Sequence, residues 1–97
     1  MNSKNEYIEL LRQFKINYGD EYGIIKIGIF GSVARDTYAN DSDIDIFYEA
    51  QPIGLLDNRD LKSHLEHFFK QPIDLVRNHK YINPLLLNHI NSEIIYA

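Results

Sequence analysis

Two short runs carry residue types that could do chemistry together: Gly31-Ser32-Val33-Ala34-Arg35 and Asp41-Ser42-Asp43-Ile44-Asp45-Ile46. In an extended strand, residues two apart share a face about 7 Å apart. Asp43 and Asp45 would therefore stand side by side, with Ile44 and Ile46 directed into the opposite, buried face. Carboxylates this close repel, which raises one pKa unless a cation neutralises them. Mg²⁺ suits that task, because it binds one or two carboxylates together with substrate phosphates; Mn²⁺ would serve as well. Two such ions, roughly 3.5–4 Å apart, could clamp the attacking and leaving oxygens of a phosphoryl transfer.

The first run supplies a complementary half. A glycine at a strand-to-helix turn lets backbone N–H groups approach a ligand with no side chain in the way. The start of a helix then offers unpaired N–H groups to phosphate oxygens. Ser32 adds a hydroxyl, and Arg35, one turn on, adds a fixed cationic fork. A lone Gly-Ser is usually only a turn, and a lone Asp-x-Asp usually a solvated edge. It is the ordered combination of strand, Gly-Ser, short helix, loop and Asp-x-Asp strand that points to a triphosphate site. Arg35 has a simpler alternative, an ion pair with Asp36 or Asp41, which the spacing favours slightly.

These runs need elements to hold them. Tyr7, Leu10, Leu11, Phe14 and Tyr18 recur at helical spacing. Ser3 and Glu6 form a capping box at the start of that helix, and Gly19 is a plausible stop. The stretch 23–30 reads as a buried strand rich in β-branched residues, 31–36 as a turn into a short helix, and 37–42 as a polar loop. Residues 43–49 alternate acid and apolar positions, the mark of a strand with two different faces. Asp57 can cap a helix bearing Leu61, Leu65, Phe68 and Phe69. Residues 72–76 form a third strand. Asn83-Pro84 opens a last helix through about Ile90, and 93–97 reads as a fraying helix end or a short strand. This order predicts one α/β (α+β) domain over residues 1–97, with helices on at least one face of a small sheet.

Composition sets bounds. The 97 residues are 44% hydrophobic and 25% charged, as in ordinary globular chains. Cysteine is absent, which excludes thiolate metal sites and agrees with a reducing cytoplasm. No leader and no stretch of roughly 20 apolar residues is visible, so neither secretion nor membrane insertion is expected. A net charge of −4 and ten dispersed Lys and Arg residues weigh against direct nucleic-acid binding. Seven tyrosines provide aromatic surface that a protein interface, or a homo-oligomer, could use. His64 and His67 read as a solvated helix face; His79 and His89 have no evident partner.

The stretch from Phe30 to Phe47 resembles the signature of the DNA polymerase β-like nucleotidyltransferase superfamily, and the short chain resembles its minimal nucleotidyltransferases. The resemblance implies a mixed sheet of three to four strands with flanking helices. It implies a third carboxylate on a neighbouring strand, a place that Asp74 fits. By the same resemblance Gly31 and Ser32 would hold the β- and γ-phosphates of ATP. Asp43, Asp45 and Asp74 would hold Mg²⁺, and Asp74 could take the proton of the attacking hydroxyl. Asp36 departs from the pattern, where many relatives carry glycine.

The activity implied is transfer of AMP from Mg–ATP to a hydroxyl. Many relatives are antitoxins paired with HEPN-domain toxins, so the acceptor would be a tyrosine of such a partner. Two other functions fit the same features. One is an antitoxin that neutralises its toxin by binding alone. The other is the catalytic subunit of a small-molecule or RNA nucleotidyltransferase whose acceptor domain lies on another chain.

Overall fold

The computed structural model describes residues 2–39, 41–52 and 58–97. Helix α1 (Lys4–Tyr22) opens on the expected capping box: Ser3 Oγ accepts from the Glu6 N–H, and Glu6 Oε1 accepts from the Ser3 N–H. It runs past Gly19 and ends at Gly23, correcting the expected stop. The reason is conformational. Gly23 adopts φ 64°, the left-handed conformation that ends helices, while Gly19 is buried within α1.

Strand β1 (Ile24–Phe30) leads directly into the short helix α2 (Gly31–Arg35). After a loop, strand β2 (Ile44–Ala50) pairs antiparallel with β1. Helix α3 (Asn58–Phe69) returns the chain so that β3 (Ile73–Arg77) runs parallel to β2. The expected cap Asp57 lies outside the described residues. Asn83 caps α4 (Pro84–Glu93), its Oδ1 accepting from the Leu85 N–H at 2.8 Å, and proline occupies the first turn. This helix extends one turn beyond Ile90. The tail then forms a two-residue strand, β4 (Ile95–Tyr96), antiparallel to β1. The result is a four-stranded mixed sheet in the order β3-β2-β1-β4.

The two faces of the sheet are unequal. Ile27 and Ile29 of β1, Ile44, Ile46 and Tyr48 of β2, and Ile73 of β3 form the main core with Tyr7, Leu11 and Phe14 of α1 and Leu61, Leu65 and Phe69 of α3. Each such fully buried apolar side chain contributes about 1.5–3 kcal/mol relative to exposure. On the other face a smaller cluster, Phe30, Phe47 and Ile90, is covered by α4. The alternation that buries Ile44 and Ile46 also fixes the register of β2. Slipping by one residue would drive Asp45 into the core.

Gly28 permits the β4 pairing. A Cβ there would stand 2.8 Å from both the Ile95 carbonyl oxygen and Ile94 Cγ1. Asp36 ends α2 at φ 62°, ψ 36°. Aspartate tolerates this left-handed conformation better than most residues, yet glycine adopts it without steric cost. Asp36→Gly is expected to raise stability by about 0.5–1 kcal/mol, read as a higher denaturation midpoint with an unchanged slope.

Candidate active site

The carboxylates meet on the sheet face that α1 and α3 leave uncovered. Asp45 is the second residue of β2 and lies opposite Phe30 on one side and Asp74 of β3 on the other. The parallel β2–β3 register, produced by the α3 crossover, places these two acids from different strands at one level. They are direct partners across the ladder, near enough for Asp74 to act on the Asp45 carboxyl. Asp43 sits one residue ahead of β2 rather than within it, exposed at the strand entrance. It is close enough to add its charge to the field at Asp45.

Electrostatics single out Asp45. Its pKa is pushed from 3.8 to about 6. Burial is the largest cause, followed by the charge of Asp74, the hydrogen bond with Asp74 and the charge of Asp43; the Arg35 cation opposes them. Taking a carboxylate out of water beside two others favours its protonated form. A divalent cation would reverse that preference, so this donor set fits a hard metal ion with oxygen ligands. Among the described residues no three His, Asp or Glu side chains converge on one point at metal-binding geometry. Asp45 and Asp74 form the close pair, and Asp43 acts on it through charge.

Gly31 has φ 73°, a conformation that side-chain-bearing residues rarely adopt. A Cβ built on it would fall 1.9 Å from Asp45 Oδ2 and 2.8 Å from Asp45 Cγ. The glycine is thus required twice, by its backbone angle and by the carboxylate lying against it. It joins the two runs into one site. Phe30 precedes α2 with no capping side chain, and the partly exposed Ser32 comes directly after Gly31.

Arg35 pairs with neither Asp36 nor Asp41. Its Nη1 donates to Glu93 Oε2 at 2.8 Å and to Oε1 at 3.0 Å, and Oε1 also accepts the Gly31 N–H at 2.9 Å. The expected local ion pair is therefore replaced by a contact made at the end of α4. The arginine points across the sheet face to a helix that returns there, rather than along its own loop. Sequence reasoning misses Glu93. An acid in the last turn of a helix opposes the helix dipole, and that local mismatch is the one trace of a tertiary partner in the sequence.

His64 and His67 fall elsewhere. His64 is half-buried, not solvated. Its ring lies 4.8 Å from that of Phe14 and 4.5 Å from that of Tyr18, and the Tyr22 hydroxyl is 2.9 Å from its Nδ1. It belongs to the aromatic packing between α1 and α3, while His67 is exposed. His89 Nε2 stands 3.3 Å from Glu93 Oε1. Of the tyrosines, Tyr7 and Tyr48 are core residues, and Tyr81 is 82% exposed. No described helix is long and apolar enough to cross a membrane.

Known proteins resemble this chain in sequence and in fold. A protein of Methanocaldococcus jannaschii, provisionally named a protein adenylyltransferase, is 33% identical over 97 residues, 99% of each chain. The protein adenylyltransferase MntA of Thermococcus cleftensis is 32% identical over 77 residues, 78% of each chain. A solved structure, provisionally described as a minimal nucleotidyltransferase, matches 97% of this chain and 95% of its own. Its TM-score is 0.77 at 27% identity. A chain from a crystal structure of a toxin–antitoxin with AMP-PNP matches 98% of this chain and 72% of its own, with TM-score 0.66 and 26% identity. The family model for polymerase beta nucleotidyltransferases matches residues 9–97, and the chain belongs to that family.

Proposed function

We propose that this protein transfers AMP from ATP to a hydroxyl of a partner protein, a tyrosine of a HEPN-domain toxin, and so acts as its antitoxin. The observation that carries the reading is the pairing of Asp45 with Asp74 at one level of the sheet, against Gly31. Pure binding has no use for a carboxylate whose pKa is pushed to about 6 by burial and by two neighbouring acids, whereas phosphoryl transfer needs concentrated negative charge to bind cations. Names of the relatives support the acceptor class: a protein adenylyltransferase and a toxin–antitoxin bound to an ATP analogue.

In this reading Asp43, Asp45 and Asp74 would hold Mg²⁺, two ions if attacking and leaving oxygens are both clamped, which would neutralise the triphosphate and polarise its α-phosphoryl group. The Gly31 and Ser32 backbone, with the Ser32 hydroxyl, receives the β- and γ-phosphates, and Arg35 supplies a further cation. The acceptor oxygen forms a bond to the α-phosphorus as the bond to the β-phosphate oxygen breaks and pyrophosphate leaves. Asp74, the most exposed of the strand acids, accepts the proton of the attacking hydroxyl. The reaction is placed in the cytoplasm, where ATP and such a partner meet.

Nucleotide binding should accordingly depend on divalent cation. Calorimetric titration with ATP is expected to show binding in Mg²⁺ or Mn²⁺ and a loss of at least about tenfold in excess chelator. Equal affinity in both conditions would contradict the metal assignment.

A further inference from the structure

Glu93 is the last residue of α4, and the C-terminal strand sets its position. The pairing of β4 with β1 holds the chain end against the sheet. The Glu93 side chain is only 13% exposed, and its carboxylate takes both the Gly31 N–H and the Arg35 guanidinium, with His89 at 3.3 Å. The hydrogen bond from Arg35, aided by that from Gly31 and by the charges of Arg35 and His89, keeps the Glu93 carboxyl below the usual range. It is therefore a firmly ionised anion. The groups that hold it, Gly31 and Arg35, are those the proposed function gives to the triphosphate.

We infer that Glu93 is an internal anion that competes with the triphosphate for Gly31 and Arg35, and so sets the affinity of the site for nucleotide. The inference rests on the assignment of those two residues to phosphate. Donors that satisfy a carboxylate also suit a phosphate, which brings more charge and more acceptor oxygens. Arg35 is 48% exposed in its side chain, so it can turn from Glu93 to a ligand without disturbing the core. Nucleotide entry then exchanges one anion for another, and part of the binding energy is used to release Glu93.

The test is calorimetric titration of Mg–ATP, and separately of inorganic triphosphate with Mg²⁺, into wild type, Glu93→Gln and Glu93→Ala. Glu93→Gln retains the length and an oxygen able to accept from Gly31, yet removes the charge. It is expected to bind Mg–ATP about twofold to fivefold more tightly than wild type, the scale of a part-exposed ion pair. Glu93→Ala is expected to gain at least as much. The gain should shrink when Arg35→Ala is added, because only the Gly31 N–H is then left to compete for. A thermal melt checks that each variant is folded, and Glu93→Gln carries the test if Glu93→Ala is not. Folded variants that bind Mg–ATP no more tightly than wild type would overturn the inference and leave AMP transfer by the wild type standing. Tighter binding by the variants, with no AMP transfer by any form, would support the inference while the proposed function fell.

Discussion

Gly31→Val is expected to abolish AMP transfer, with a loss of at least about 10²-fold, and to cost about 2–4 kcal/mol of stability. Two effects coincide at this position. Any side chain must adopt φ 73°, and its Cβ must share space with Asp45 Oδ2, 1.9 Å away. The Phe30–Asp45 pair closes the β1–β2 ladder immediately before Gly31 and holds the backbone there, so relief comes from the carboxylate, which is driven from its place beside Asp74. The valine would thus disable the acid pair as well as crowd the phosphate position. Gly31→Ala isolates the Cβ. Its stability cost should shrink when Asp45→Ala removes the carboxylate, since contacting residues are not additive. Equilibrium denaturation of the single and double variants measures this. Equal costs in both backgrounds, or wild-type transfer by Gly31→Val, would remove Gly31 from the site.

Much of this architecture is legible in the sequence wherever a local cause acts alone. The Ser3–Glu6 box and the Asn83-Pro84 start are set within one turn of chain, and both form as expected. The alternation around Ile44 and Ile46 specifies which face is buried, and those residues are buried accordingly. The misreadings arise where distant segments decide. Gly19 is as able to end a helix as Gly23, but packing of α1 against the sheet extends it to Tyr22. His64 lies on a helix of mixed polarity, yet Phe14 and Tyr18 arrive from α1 to enclose it. Arg35 has acids nearby in sequence, and takes instead one 58 residues away. The level match of Asp45 and Asp74 depends on the length of the α3 crossover, which no pattern within either strand encodes. Asp74 is reached only through family resemblance, and the register supplies its physical reason.

Asp45→Asn is expected to lower AMP transfer by about 10³-fold and, at the same time, to stabilise the metal-free protein at neutral pH. The second effect arises from the raised pKa. In the folded state Asp45 protonates at about 6 rather than 3.8, so its protonated form favours folding. That contribution is fully present below about pH 3.8 and is lost as pH rises through about 6. The shift alone would correspond to roughly 3 kcal/mol; solvent screening of this partly exposed group reduces it to about 1 kcal/mol. Asparagine carries no charge at any pH and can donate to Asp74 (a hydrogen bond the ionised pair lacks). Denaturation in chelator should therefore show wild type losing stability between pH 4 and 6 through this group, with the variant lacking that component and about 1 kcal/mol more stable at pH 7. An identical pH profile for both proteins would contradict the electrostatic picture of the acid pair.

The same variant separates catalysis from occlusion. Ile44 and Ile46 still pack on the opposite face, so the surface offered to a partner is retained while the charge that would bind cations is reduced. The measurement is the intact mass of the HEPN-domain partner after incubation with ATP, Mg²⁺ and either wild type or Asp45→Asn, with complex formation checked by co-elution. Wild type should add the mass of one or more AMP groups to the partner, and Asp45→Asn should co-elute with it and add none. A partner left at its original mass by the wild type, or modified equally by both proteins, would contradict AMP transfer by this acid pair.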